Sequence, residues 1–225
     1  MTTFLDLPLE LLPLILQHFL RPSHLALAAL VNKDFHSFAI PHLYRKVYIY
    51  AWHTNVKTRF VKLFETLASC PHLARFVEEM TIRDFPRALL LSERRAVLHT
   101  CLAGIRNCLS LRACTWTRDG SLSDDILHAL CALPRFASLE INGNNVWQYS
   151  PGTLVRFERL ERLCVVMPGA PVVEVLPAWL QRTGKTLRRL TLLCQSSPRI
   201  NDGLLGEVAF YLKNLDHLHL LGCAK

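Results

Sequence analysis

Two stretches of the sequence hold residue types that could do chemistry, and spacing decides what each can do. Arg182-Thr-Gly184-Lys185-Thr186 ends as a phosphate-cradling loop ends, with a lysine for the phosphates and a hydroxyl for a metal ion. The G-x-x-x-x-G-K-T spacing needs its first glycine at position 179, where the chain has Trp179. The loop therefore cannot wrap a phosphate, and a helix-ending turn is expected in its place. His217-x-His219 sets two imidazoles on one face of a strand, and Cys223 follows, but three donors fall short of a closed structural metal shell. Exposed histidines and no metal are expected. No G-x-S-x-G elbow and no H-E-x-x-H helix occurs, so the reading is of a protein that is not an enzyme and takes no cofactor or small-molecule substrate.

Eight cysteines run from Cys70 to Cys223 at positions of apolar pattern. No secretory signal accompanies them, so buried free thiols are expected rather than a disulfide framework. The segment Leu7–Leu20 is leucine-rich, but Pro8, Glu10, Pro13, Gln17 and His18 interrupt it, so it cannot span a membrane. Asp6 and Glu10 flank it where a signal peptide would be basic. With no Asn-x-Ser/Thr acceptor site either, a soluble chain in the cytoplasm and/or nucleus is expected, without membrane attachment. Net charge is +8, yet the arginines stand singly or in pairs rather than on one aromatic-laced face. That scatter makes nucleic acid only a remote alternative and favours acidic protein partners or plain solubility.

The elements that would carry function start at the N-terminus. Pro8 suits the first position of a helix and Glu10 its positive first turn. Leu11, Leu12, Ile15, Leu16, Phe19 and Leu20 wrap past the single apolar stripe of a surface helix, so two partners are implied. Pro13 demands a kink or a late helix start. Ser23 can cap a second helix, Asn32 a third, and Pro41 is placed to end it. Three such short helices make too small a core for secure independent stability, and a docking partner would supply the rest.

Leu7-Pro8-x-Glu10-Leu11-Leu12, Ile15-Leu16-x-x-Phe19-Leu20, Leu25, Ala29-Leu30-Val31-Asn32-Lys33-x-Phe35 and Leu43-Tyr44-Arg45-x-Val47 together resemble an F-box, particularly those of fungal F-box proteins. Phe35 stands where many members carry Trp. The resemblance implies docking onto the S-phase kinase-associated adaptor of an SCF ubiquitin ligase and, through it, a cullin. By motif position it nominates Leu7, Pro8, Leu11, Leu12, Ile15, Leu16, Leu25, Val31 and Phe35 for the adaptor contact and its immediate support. The rival within the same family is an assembly partner that uses the adaptor without a cullin.

Beyond residue 50 a pattern recurs. Phe136-x-x-Leu139-x-Ile141-x-x-Asn144 fits the leucine-rich-repeat template, as do Leu160-x-x-Leu163-x-Val165, Leu187-x-x-Leu190-x-Leu192 and Leu215-x-x-Leu218-x-Leu220-x-x-Cys223. Weaker copies precede them at Val77-x-x-Met80-x-Ile82 and Leu111-x-x-Cys114-x-Trp116. The anchors Met80, Cys114, Leu139, Leu163, Leu190 and Leu218 are 34, 25, 24, 27 and 28 residues apart, the first spacing stretched by the segment from Arg87 to Cys108. Helices are expected between them: one carrying Phe60, Leu63, Phe64 and Leu67, one over Ile126–Leu133 capped from Ser123, and others over Pro171–Arg182 and Asp202–Asn214. The region resembles the repeat arms attached to many F-boxes. The expected fold is α/β: a three-helix F-box over 1–50, then an irregular leucine-rich-repeat solenoid over 51–225 with a parallel strand ladder and outer helices.

Period-two alternation turns the residues beside each anchor to the opposite face. Arg83, Glu140, Asn142, Arg162, Val166, Arg189, Leu193, His217 and His219 are the candidates there for holding an unidentified target protein. Val166, Leu193 and Leu221 form an apolar column, either a contact patch or the seat of a covering segment. The last copy stops at Cys223-Ala224-Lys225 without a covering helix, so an open end on a truncated solenoid is expected, unless the N-terminal part folds back over it.

Overall fold

The computed structural model describes residues 8–19, 21–52, 54–84, 91–118, 120–144, 148–197 and 200–223. Three helices come first: α1 (Leu11–Leu16), α2 (Pro22–Ala28) and α3 (Lys33–Arg45). Seven strands follow, β1 (Lys46–Ile49), β2 (Glu79–Ile82), β3 (Ala113–Trp116), β4 (Ser138–Asn142), β5 (Arg162–Val166), β6 (Arg189–Ser197) and β7 (His217–Cys223). They form one parallel sheet in chain order. Parallel neighbours cannot be joined by a hairpin, so each return crosses through other structure. These returns hold α4 (Val56–Ser69) and α5 (Pro71–Ala74), α6 (Leu91–Asn107), α7 (Asp124–Cys131), a 3-10 helix (Pro151–Arg156), α8 (Ala170–Thr183) and α9 (Asp202–Ala209).

The six anchors lie in one hydrogen-bonded row: Met80 pairs with Cys114, Cys114 with Leu139, then Leu163, Leu190 and Leu218. Val47 heads the row by pairing with Met80. Sequence reading missed β1 because its residues had been absorbed into the tail of the F-box resemblance. A second row, from Ile49 through Ile82, Trp116, Ile141 and Val165 to Leu192, is buried throughout. Against these rows pack Phe60, Phe64 and Leu67 of α4, Ile126 and Leu130 of α7, and Leu176 and Leu180 of α8. Each such side chain contributes about 1.5–3 kcal/mol on burial.

Polar ties join successive units, at α4 through carbonyls that the helix end leaves without an intrahelical partner. Asn107 Nδ2 donates to the carbonyls of Leu67 and Ala68 at 2.9 and 3.1 Å. Thr186 Oγ1 donates to Leu160 O at 2.9 Å, and Asn214 Nδ2 to Lys185 O at 2.8 Å. Three helices are capped from the side chain before them: Asn32 Oδ1 accepts from Phe35 N at 2.9 Å, Ser123 Oγ from Ile126 N at 3.5 Å and Asn201 Oδ1 from Leu204 N at 3.1 Å.

Several local expectations need correction. The first helix begins at Leu11 rather than Pro8, so Pro13 falls in the first turn, where its missing N–H breaks no bond. Arg21, not Ser23, stands at the cap position of α2, because Pro22 takes the first helical place. Pro41 does not end α3, which runs on to Arg45. A mid-helix proline costs ~3 kcal/mol or more, and packing on both sides of it, at Ala39 and Leu43, holds the turn together. The last helix stops at Ala209, short of Asn214. Only Cys101, Cys108 and Cys114 are buried; the other five thiols, also free, are half-buried. Helices α1 to α3 lie beside β1, at the opposite edge from β7, so they do not cover the far end. Leu218 there is 47% exposed, whereas Leu190 in the same row is fully buried.

Gly184 ends α8, and a Cβ at this position would overlap the carbonyls of Leu180 and Tyr211. Gly206 sits inside α9 with open space where a Cβ would go. The same substitution should therefore act with opposite signs. Gly184→Ala is expected to lose about 1–3 kcal/mol through overpacking, and Gly206→Ala to gain roughly 0.5–1 kcal/mol of helix propensity. Denaturant midpoints of the two variants check the pair.

Candidate functional site: bared apolar helices and an open sheet face

Leu16, Leu25, Ala28, Ala29 and Ala39 form the small core of α1 to α3, with Phe19, Phe35, Phe38, Ile40 and Leu43 half-buried around it. Three alanines let the helices approach closely but contribute little apolar area. The same segment leaves much larger side chains in water: Leu9, Leu11, Leu14, Ile15, Leu27, Leu30 and Val31 are 40–80% exposed. These are half of the fourteen large apolar residues exposed among the described residues, and they fall within Leu9–Val31. Such concentration marks an interaction surface rather than scattered surface leucines.

Helix α1 has two apolar faces. Leu12 and Leu16, one turn apart, are 2% and 1% exposed, while Leu11 and Ile15, also one turn apart, are each 40% exposed. The structure thereby divides residues that the motif alone could not separate. Leu12, Leu16 and Leu25 are interior, Phe35 is half-buried, and Pro8, Leu11, Ile15 and Val31 face outward. Leu7, another motif position, and Leu20 lie outside the described residues. Sequence reasoning did not single out Leu9, Leu14, Leu27 and Leu30 as contacts. Their signal was available, since they are the apolar positions left over once one buried stripe has been assigned.

The second surface is the sheet face turned away from the core. Its columns follow from register: Ser138, Arg162, Arg189 and His217 are neighbours in one, Glu140, Cys164, Thr191 and His219 in the next, and Asn142, Val166, Leu193 and Leu221 in the third. Arg83, beyond the end of β2, pairs with Glu140 at 3.4 Å, and Thr115 Oγ1 donates to the other Glu140 oxygen at 3.1 Å. Asn142 donates to Thr117 O at 3.5 Å and accepts from Asn144 N at 2.9 Å. These three candidates thus already stabilise the face itself. Leu221 is 60% exposed, and Val166 and Leu193 are half-buried. His217 and His219 meet edge to face with ring centroids 6.4 Å apart. At the β1 edge, Tyr48, Tyr50 and Trp52 make an aromatic row, Tyr50 stacked on Trp52 at 4.3 Å. The alternation Tyr-x-Tyr-x-Trp could have revealed it.

Gly184-Lys185-Thr186 is the turn after α8, with Thr186 N and Leu187 N both bonded to Thr183 O. Burial pushes the Cys108 thiol up to about 12, and Cys101 and Cys114 also rise, by burial first and then by neighbouring thiols. On the sheet face burial takes Cys164 up to about 11, with Glu140 adding to the rise and Arg83 opposing it. All four are neutral thiols at pH 7.

The division of α1 and α2 can be checked by stability. Leu16→Ala should cost about 2–5 kcal/mol by opening a cavity in a small core. Leu30→Ser, at an 80% exposed position, should stay within roughly 0.5 kcal/mol of the parent. Far-UV circular dichroism against temperature reads both.

No curated protein matches the chain. Residues 4–50 match the F-box-like family model, a span that takes in α1, α2, α3 and all of β1. A domain of this kind implies a role in protein interaction, typically docking on the SCF adaptor, and the chain carries one over residues 4–50.

Proposed function

We propose that this chain is a substrate-recognition subunit of an SCF-type ubiquitin ligase. Its F-box docks on the S-phase kinase-associated adaptor, which joins it to a cullin, while the open sheet face holds a target protein. The observation that carries this reading is the apolar surface bared by α1 and α2 within the matched domain. Removing such surface from water yields about 25 cal/mol per Å², which would supplement a core built largely of alanines. Leu11, Ile15 and Val31 of the motif set, with Leu9, Leu14, Leu27 and Leu30, are the proposed contacts; Leu12, Leu16 and Leu25 support them from inside. Behind this domain, the in-register anchor row and alternating strands and helices support an irregular leucine-rich-repeat arm. The arm's contribution is to hold a target lysine near the loaded conjugating enzyme, so the chemistry belongs to other subunits. We place this work in the cytoplasm or nucleus.

Leu11→Asp combined with Ile15→Asp should weaken adaptor binding at least about a hundredfold, because each carboxylate would be buried unpaired at the interface. Both positions are 40% exposed in the free chain, so the melting temperature should stay close to the parent's. Unchanged affinity in the folded double variant would overturn the docking. Recovery of adaptor without cullin from cells would favour the assembly-partner role.

For the target face, Val166→Asp with Leu193→Asp should abolish co-purification of the target protein while leaving adaptor binding intact. Quantitative mass spectrometry of the two pull-downs reads both. Undiminished target recovery from the folded variant would remove this column from the binding surface.

A further inference from the structure

One pair of sulfurs stands apart from the other thiols. Cys223 Sγ lies 3.2 Å from Cys194 Sγ, the one sulfur–sulfur contact among the described residues. The local backbone explains the meeting. Leu193 pairs with Leu221 and Ser197 with Cys223, so Cys194, Gln195 and Ser196 together stand against Gly222. This bulge in β6 interrupts the alternation that would otherwise separate the two cysteine side chains. Gly222 has φ +68°, and a Cβ on it would overlap the Cys194 carbonyl. Glycine thus permits a backbone approach that brings the sulfurs together. Strands lie about 4.8 Å apart, within the Cα separation of roughly 4.4–6.8 Å that a disulfide spans.

We propose that Cys194 and Cys223 are a redox site, closed to a disulfide by a hydroperoxide and reopened by thiol reductants. Cys223, on β7, is assigned the first attack on the peroxide, both sulfurs being half-buried. Its thiolate attacks one peroxide oxygen; the O–O bond breaks, hydroxide leaves and takes up a proton as water, and a sulfenic acid forms. Cys194, as thiolate, then attacks the sulfenyl sulfur, and the hydroxyl leaves as a second water. Two thiols give two electrons to one hydrogen peroxide, yielding one disulfide and two waters. Burial first, and then the adjacent Cys223 sulfur, push the Cys194 thiol up, consistent with its role as the second and slower partner. The bond would clip β7 to β6 at the exposed edge of the sheet, fixing the strand that carries His217, His219 and Leu221. Disulfides of intracellular chains are commonly transient and redox-sensing.

The test uses the full chain with hydrogen peroxide as the probe, one equivalent added under anaerobic handling. Expected are the loss of two of the eight thiols, the mass of two hydrogens removed from a monomer, and a crosslink between tryptic peptides 190–199 and 214–225 that dithiothreitol reverses. Hydrogen exchange in 217–223 should slow in the oxidised form and return on reduction. Cys194→Ser and Cys223→Ser should each prevent the crosslink and the change in exchange, while keeping the parent's circular dichroism. A disulfide between other cysteines, an intermolecular bond, or sulfinic acid at Cys223 with no crosslink would overturn the proposal.

Discussion

The structure depends on one row of apolar side chains held in register across seven parallel strands. From Val47 to Leu190 every anchor is buried, and from Met80 onward each is flanked by the anchor of the preceding unit and that of the next. No unit can bury its own strand and helix together, because a parallel strand must wait for the following crossover to gain its neighbour. Stability is therefore shared between adjacent units, and it ends where neighbours end. Leu218 and Val47 each have an anchor on one side only, and Val47, on the strand that α3 packs against, is 8% exposed where Leu218 is 47%.

The N-terminal helices are joined to this sheet without a linker. Arg45 closes α3 and Lys46 opens β1. Glu78 N donates to Arg45 O at 2.9 Å, while the Glu78 carboxylate meets Arg45 Nε at 3.0 Å. Lys46 and Glu79 add a second ion pair at 2.9 Å. Exposed pairs of this kind are worth about 0–1 kcal/mol each, so the backbone bond and the continuous chain set the junction, and the charges trim it. A surface carried by α1 and α2 is accordingly fixed relative to the sheet face. That junction suits the proposed role, in which the two surfaces would hold two partners at a set distance.

Much of the architecture was legible because apolar periodicity is a local property. The anchors from Met80 to Leu218 could be aligned by spacing alone, and each aligned residue pairs with the next in the sheet. Asn32 and Ser123 were readable as caps because a cap needs only a short polar side chain ahead of an apolar run. The F-box motif was readable for the same reason. What failed locally were signals that compete: Pro22 displaced Ser23 from the cap of α2, and packing around Ala39 and Leu43 carried α3 through Pro41.

Sequence by itself therefore determined the alternation of strands and helices, the F-box-like segment and the identity of the buried rows, since these follow from periods of two and 3.6 along the chain. Tertiary structure alone decided which of the motif leucines face water. Leu11 and Leu12 are chemically identical and adjacent, and only the packing of the folded chain makes one 40% exposed and the other 2%. It alone brought Cys194 to Cys223 across a bulge, because a register shift between strands far apart in sequence has no local signature. And it alone extended the sheet to β1, whose four residues become a strand by pairing with Glu79–Ile82.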